Sequence, residues 1–178
     1  MNAPVKAEPV IETLLSTDYF DVIDKDGYKI IKEPQAVNGV VVFSCLPDHR
    51  IVLIDLNRRA VGKVMREFPR GKIEKDETPE QAAIREFGEE TGMIATKVRL
   101  LGHVHSNTSL IASSVAVCFC ETDGVVHEKS DGEADRTLIA TYPELLGMMV
   151  NGTITDGHTL SAMMLVMAHE TLAAQNAA

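Results

Sequence analysis

The chain has 178 residues and a mass of 19.4 kDa, with 45% apolar and 24% charged side chains. That is enough for one compact domain, since separate cores take roughly 100 to 200 residues each, and it excludes collagen-like, coiled-coil and wholly disordered classes. Seventeen Lys plus Arg against twenty-six Asp plus Glu leave a formal net charge of −9, which disfavours non-specific binding to nucleic acid or to an anionic membrane.

Residues 1–16 show no clear period and read as a loose N-terminal arm, leaving 17–178 as a single domain. Next, 19–23 and 28–31 flank Asp24-Lys25-Asp26-Gly27, which predicts an N-terminal β-hairpin. A second hairpin is expected from 40–43 and 51–54 around Pro47-Asp48-His49-Arg50, with strands apolar enough for a buried sheet. Further strands are expected at 97–105, 111–121 and 137–141, and helices at 143–150 and 159–173. Residues 1–21 lack a basic start followed by an apolar stretch, and the longest apolar runs fall far short of the roughly 20 residues that cross a bilayer. Three cysteines, Cys45, Cys118 and Cys120, fit neither a secreted disulfide framework nor a zinc pattern, so a reducing cytoplasm is expected.

The best-defined helix is predicted over 79–91. Thr78 is a natural N-cap, Pro79 suits the first helical position, Gln81 completes a capping box, and Gly92 supplies a left-handed C-terminal cap. At about 100° per residue, Ala83, Ile84, Phe87 and Thr91 form a packing arc, with Ala82, Glu86, Glu89 and Glu90 on the arc beside it. Three carboxylates in one patch destabilise a helix by a few tenths of a kcal/mol per like-charged pair. Either the face is solvated and softened by Arg85 and Lys75, or it holds a divalent cation, whose preferred ligands are carboxylate oxygens.

The flanking residues decide between these readings. Gly71, five residues, Glu77, seven residues, then Arg85-Glu86-Phe87-Gly88-Glu89-Glu90-Thr91-Gly92-Met93 resembles the signature of the Nudix hydrolases. A chance match at a given start is on the order of one in 10⁸ or rarer, which sets the solvated-face reading aside. The resemblance implies an α/β fold, an α/β/α sandwich with a mixed central sheet. It also implies Glu86 and Glu90 as principal ligands of Mg²⁺, or of Mn²⁺, with Glu89 sharing that role and the Arg70 carbonyl as a further ligand. Arg85 and Glu77 become the ion pair that orients the carboxylates. Phosphate esters are anionic, so the ions must stand between them and the glutamates.

Outside that segment, 52–62 with Glu67-Phe68-Pro69-Arg70-Gly71, and 151–160 before the final helix, are similar to the ADP-ribose pyrophosphatase and nucleoside-diphosphate-sugar branch. The likeness implies a homodimer built partly by the N-terminal hairpin, and a catalytic base in a loop after the signature. Candidates there are Glu128, Asp131, Glu133 and Asp135, of which Glu133 stands at the best distance before the next strand. Arg58, Arg59, Glu67 and Arg70 are candidate substrate contacts, with a surface charge and a strand-end cap as the plain alternatives for the arginine pair and for Glu67.

The expected reaction cuts the pyrophosphate bond of a nucleoside diphosphate linked to another moiety, ADP-ribose or a related nucleotide sugar, giving a nucleoside monophosphate and a sugar phosphate. Two departures keep rivals open: Ser106-Asn107-Thr108-Ser109-Leu110 stands where the branch often has Pro-Gly, and Arg70 replaces a small residue. Phe68-Pro69-Arg70-Gly71 is similar to hydrolases of dinucleoside polyphosphates, so that class, with nucleoside triphosphates, remains an alternative. A non-catalytic module that senses a nucleotide sugar is the alternative of another class. His103, His105, Cys118, Cys120, Met163, Met164 and Met167 are expected to be structural.

Overall fold

The computed structural model describes residues 10–176, so part of the expected N-terminal arm, 1–9, lies outside the described residues. The rest of that arm departs from expectation: Ile11–Ser16 is a strand, β1, paired antiparallel to β2 (Asp21–Lys25), which pairs in turn with β3 (Tyr28–Lys32). The predicted hairpin is thus two strands of a three-stranded sheet, in order β1-β2-β3. A register shift between Thr13 and Leu15 explains why 11–16 shows no alternation, because a bulge moves the following side chains to the other face.

The central sheet comprises β4 (Val37–Cys45), β5 (Ile51–Arg58), β6 (Lys63–Glu67), β7 (Arg70–Lys72), β8 (Thr96–Val104), β9 (Ser114–Glu121) and β10 (Arg136–Ala140). Its order is β10-β5-β4-β9-β8, with β6 against β5 and β7 against β4. The second expected hairpin exists only at its turn, where Cys45 faces Ile51. Beyond that pair the strands separate. β4 takes a parallel partner in β9 and an antiparallel one in β7, while β5 takes β6 and β10.

β4 is apolar on both faces because both are covered. Val40 and Val42 pack with Ala82, Ala83 and Phe87 of α1 (Pro79–Thr91), whereas Val41 and Phe43 pack with Leu145 of α2 (Tyr142–Val150) and Met163 and Val166 of α3 (Gly157–Asn176). This is the expected sandwich, a mixed sheet between helices. Met163 is buried, while Met164 and Met167 are 65% and 38% exposed.

The bounds of α1 coincide with those predicted. Thr78 and Gln81 form the reciprocal capping box, and Gly92 ends the helix at φ 70°, in the left-handed region. The buried arc is rotated from the predicted one: Ile84 is 48% exposed, while Ala82 and Glu90 are buried. Two adjacent alanines let the helix settle closely on the sheet along that side, which turns Ile84 outward and Glu90 inward.

Candidate active site

Two contacts fasten the acidic face of α1 to β7. The Arg70 backbone N–H donates to Glu90 Oε2 at 2.9 Å. At Gly71 a Cβ would stand 2.0 Å from the Glu86 carboxyl carbon, so only glycine admits that carboxylate against the strand. Gly71 is thus needed for close approach.

Arg85 serves three carboxylates. Its Nε and Nη2 donate to Glu77 at 2.8 and 2.9 Å, and its Nη1 donates to Glu86 at 2.8 Å and to Glu89 at 3.0 Å. Nη2 also donates to the Lys72 carbonyl at 2.8 Å, tying the helix to the end of β7. The Arg85 guanidinium holds the Glu77 carboxyl down at about 2.

Further along the face the field reverses. Burial pushes the Glu90 carboxyl up to about 8, with the neighbouring Glu86 and Asp131 adding to the rise and the Arg70 N–H opposing it. Burial also raises Glu86, with Glu89 and Glu133 adding and Arg85 opposing. Glu86 and Glu89 each give one oxygen to Arg85, and Glu90 gives one to Arg70. Each keeps its second oxygen without a protein donor among the described residues. Among the described residues, no three His, Cys, Asp or Glu side chains converge as a closed cation cage.

Segment 122–135 lies across the C-terminal end of α1. The Asp131 N–H donates to the Glu89 carbonyl at 2.8 Å, and the His127 and Glu128 N–H groups donate to the Gly92 carbonyl at 2.8 and 3.2 Å. These bonds satisfy carbonyls that a helix end leaves open. They also carry the acidic loop to the glutamates, so that the charge of Glu133 reaches Glu86 and that of Asp131 reaches Glu90. Glu128 instead presents its carbonyl to Gly92, and the Asp135 N–H is bonded to the Asp55 carbonyl. Glu133 shares a cavity of about 500 Å³ with Asn57, Arg58 and Arg59.

On the other side of β7 the proportions invert, with two arginines sharing one carboxylate. Glu67 has no exposed side-chain surface; it accepts from Arg58 Nε and Nη2 at 2.8 and 2.9 Å and from Arg70 Nε at 2.5 Å. The residue expected as a substrate contact or strand cap is therefore placed behind the two arginines that reach the cavity. That cavity, of about 340 Å³, is bordered by Arg58, Arg70, Gly71, Lys72 and His158, with Tyr19, Ile111 and Val115 among its other lining residues.

Glu33 and Ser113 carry no pattern that marks them in the sequence, whereas Asp156 and His158 lie in the 151–160 segment that resembles the pyrophosphatase branch. Asp156 caps α3 through Thr159 and stands 3.5 Å from Arg70 Nη2. Its place three residues before Thr159, at the start of a helical run, is a second signal. Ser113 donates to Glu33 across the cavity's far wall, a contact between residues 80 apart that no local pattern announces. His103 and His105 are exposed, and Cys118 and Cys120 are buried in β9, in keeping with structural roles.

The NUDIX domain model matches residues 36–146. An ADP-ribose pyrophosphatase of Bacillus subtilis (strain 168) is 28% identical over 150 residues, 83% of this chain and 80% of that protein. An RNA pyrophosphohydrolase of Marinomonas sp. (strain MWYL1) is 34% identical over 86 residues, 46% of this chain and 43% of its own length. A solved structure described as an ADP compounds hydrolase superposes with a TM-score of 0.72 at 18% identity, covering 97% of this chain and 98% of that one, which is a likeness of fold. The resemblance to the ADP-ribose pyrophosphatase branch is thus borne out.

Proposed function

The chain belongs to the NUDIX family of pyrophosphohydrolases, and from that premise we propose that it cuts the pyrophosphate bond of ADP-ribose or a related nucleotide sugar. The products are a nucleoside monophosphate and a sugar phosphate, and the reaction requires Mg²⁺ or Mn²⁺. The observation that carries this reading is the spacing of Glu86, Glu89 and Glu90 along α1, with Arg85 bonded to two of them and the acidic loop bonded to the same helix end at Glu89 and Gly92. The extent of the likeness to the B. subtilis ADP-ribose pyrophosphatase supports the choice of substrate.

The donor set fits a hard divalent cation. Glu86, Glu89 and Glu90 each offer a carboxylate oxygen without a protein donor among the described residues, the ligand type such ions take. Burial, with the neighbouring acids adding to it, raises Glu86 and Glu90, and a cation beside them would favour the charged form that burial opposes. When bound, the ion offsets phosphoryl charge and lowers the pKa of an attacking water. The chain's own residues do the rest. Arg85, gripped by Glu77, holds Glu86 and Glu89 in place, Arg70 fixes Glu90 through its N–H, and the Glu133 carboxylate accepts the proton of the attacking water. Arg58, Arg59 and Arg70 contact substrate, and the buried Glu67 holds Arg58 and Arg70.

No helix among the described residues is long and apolar enough to cross a membrane. Three free cysteines support a reducing cytoplasm, and exposed Ile11, Leu14, Leu15 and Tyr28 on the N-terminal sheet support a homodimer that covers them.

Purified protein given ADP-ribose and Mg²⁺ in ¹⁸O-water tests the reaction, with products identified by mass spectrometry. The expected result is labelled monophosphate or sugar phosphate that disappears with EDTA. Intact ADP-ribose alongside cleaved dinucleoside polyphosphate would transfer the assignment to that class.

A further inference from the structure

The last helix is amphipathic in reverse. Thr159, Ala162, Met163 and Val166 of α3 are buried against the sheet, whereas every residue of 167–176 is exposed. The two ionisable groups of that stretch turn toward the sheet and α2: His169 Nε2 lies 3.0 Å from the Leu101 carbonyl, and Glu170 stands 3.5 Å from the Tyr142 hydroxyl. At about 100° per residue, the face turned away from the sheet carries Leu160, Met164, Ala168, Thr171, Leu172 and Gln175, with no ionisable side chain among them. Met164 and Leu172 are 65% and 59% exposed, and nothing among the described residues covers them. A surface helix ordinarily puts its charged residues outside and its apolar stripe within, and one that is apolar on its outer face as well is a buried helix.

The pattern of that face fits a second copy of the same chain. Met164, Ala168 and Leu172 stand four residues apart on one ridge, which reads alike in both directions: a small residue at the centre and a long apolar one on either side. A two-fold interface needs a patch that maps onto itself, and ridges of this spacing interlock with their own kind. With the helices antiparallel and Ala168 on the two-fold axis, Met164 of one copy meets Leu172 of the other, and the paired alanines let the backbones approach closely. Charge favours the same occupant. The chain carries −9, so two copies repel over most of their surfaces and least where no ionised group stands. A lipid surface fits less well, since helices that lie on membranes carry Lys and Arg beside the apolar face, and 157–176 contains neither.

We propose that the outer face of α3 is a two-fold interface between copies of this chain, centred on Ala168 with the two helices antiparallel. It is a different surface from the N-terminal sheet, and it does not depend on the substrate of the hydrolase. The 20-residue helix presents a strip about 30 Å long and about 10 Å across, less than the roughly 800 Å² per partner of a standard interface. The association is therefore weak, roughly micromolar or weaker, and it doubles whatever assembly the protein has when dilute.

Sedimentation velocity of the full chain, from low micromolar to millimolar concentration, tests this in wild type, Ala168→Glu and Val150→Glu. Val150, exposed at the end of α2, is the control. Wild type doubles in mass as concentration rises. Ala168→Glu sets two carboxylates against each other on the axis and weakens the doubling about tenfold or more, whereas Val150→Glu leaves it unchanged. Cross-linking under copper–phenanthroline oxidation then reads the direction of the helices, with wild type giving the background of the native cysteines. Ala168→Cys links to itself. Met164→Cys links when mixed with Leu172→Cys, but neither links alone, because each then lies about 12 Å along the helix from its counterpart, beyond the roughly 7 Å between Cα atoms that a disulfide bridges. The interface is overturned if the mass stays constant over the concentration range, if Ala168→Glu doubles as readily as wild type, or if Met164→Cys links as well alone as with Leu172→Cys. Flotation with uncharged phosphatidylcholine vesicles in place of doubling would give the face to lipid and overturn it as well.

Discussion

Two arginine–glutamate networks flank β7, and they are built in opposite proportions. On the α1 side one guanidinium, Arg85, serves Glu77, Glu86 and Glu89. On the cavity side one carboxylate, Glu67, serves Arg58 and Arg70. The first leaves carboxylate oxygens over and the second leaves guanidinium edges over, so neighbouring surfaces are prepared for ligands of opposite sign. Both depend on the same two residues of β7, since Arg70 reaches Glu90 as well as Glu67 and Gly71 receives Glu86. A salt bridge is thus informative here for what it leaves unpaired, more than for its contribution to stability.

The contrast breaks most severely at Glu90. Glu90→Gln keeps the side chain's size and its contact with the Arg70 N–H but removes the carboxylate that a cation would bind, so kcat is expected to fall on the order of 10³-fold while the far-ultraviolet circular dichroism is unchanged. Wild-type rates in a steady-state assay would contradict the cation role of α1. Next comes Gly71→Ala, whose Cβ would overlap the Glu86 carboxylate. Displacing that carboxylate is expected to lower Mg²⁺ affinity or activity about ten- to hundredfold, read from the Mg²⁺ dependence of the initial rate, with the Glu67 network left intact.

Glu77→Gln sharpens the comparison through pH. The folded Glu77 carboxyl is held at about 2 against an ordinary 4.5, so its contribution to stability is complete above about pH 4.5 and is lost as pH falls toward 2. The stability difference between wild type and Glu77→Gln, from urea unfolding, is therefore expected to be constant above pH 5 and to shrink below 4.5; a difference that grows on acidification would refute the pairing. The smallest effect is at Thr78→Ala, which removes the N-terminal capping box and is expected to cost about 1 kcal/mol in the same assay, with kcat retained by the folded fraction.

Much of α1 was legible because its determinants are local. A cap, a proline at the first position, a terminal glycine and glutamates spaced three and four residues apart fix both the helix and the side that carries the carboxylates. The site's other half was less legible. Glu86 and Glu67 are the same residue type, and composition does not distinguish a carboxylate left open from one sealed between arginines. That is decided by β7, three residues long, and by what packs on it. Ile84 teaches the same lesson on a smaller scale, since the helical period offered it as a core residue and the close seat of Ala82 and Ala83 turned it outward.

The amino-acid order alone determined the helix of 79–91, the carboxylates it displays, the class of fold and the family. These follow from interactions within one or two turns and from a spacing too specific to arise by chance. Tertiary structure decided that β4 leaves β5 after one pair to lie between β7 and β9, that Glu67 is sealed, and that 122–135 returns to cover the end of α1. Such pairings join residues tens of positions apart, and their partners are chosen by which surfaces remain to be buried once the sheet and helices have assembled.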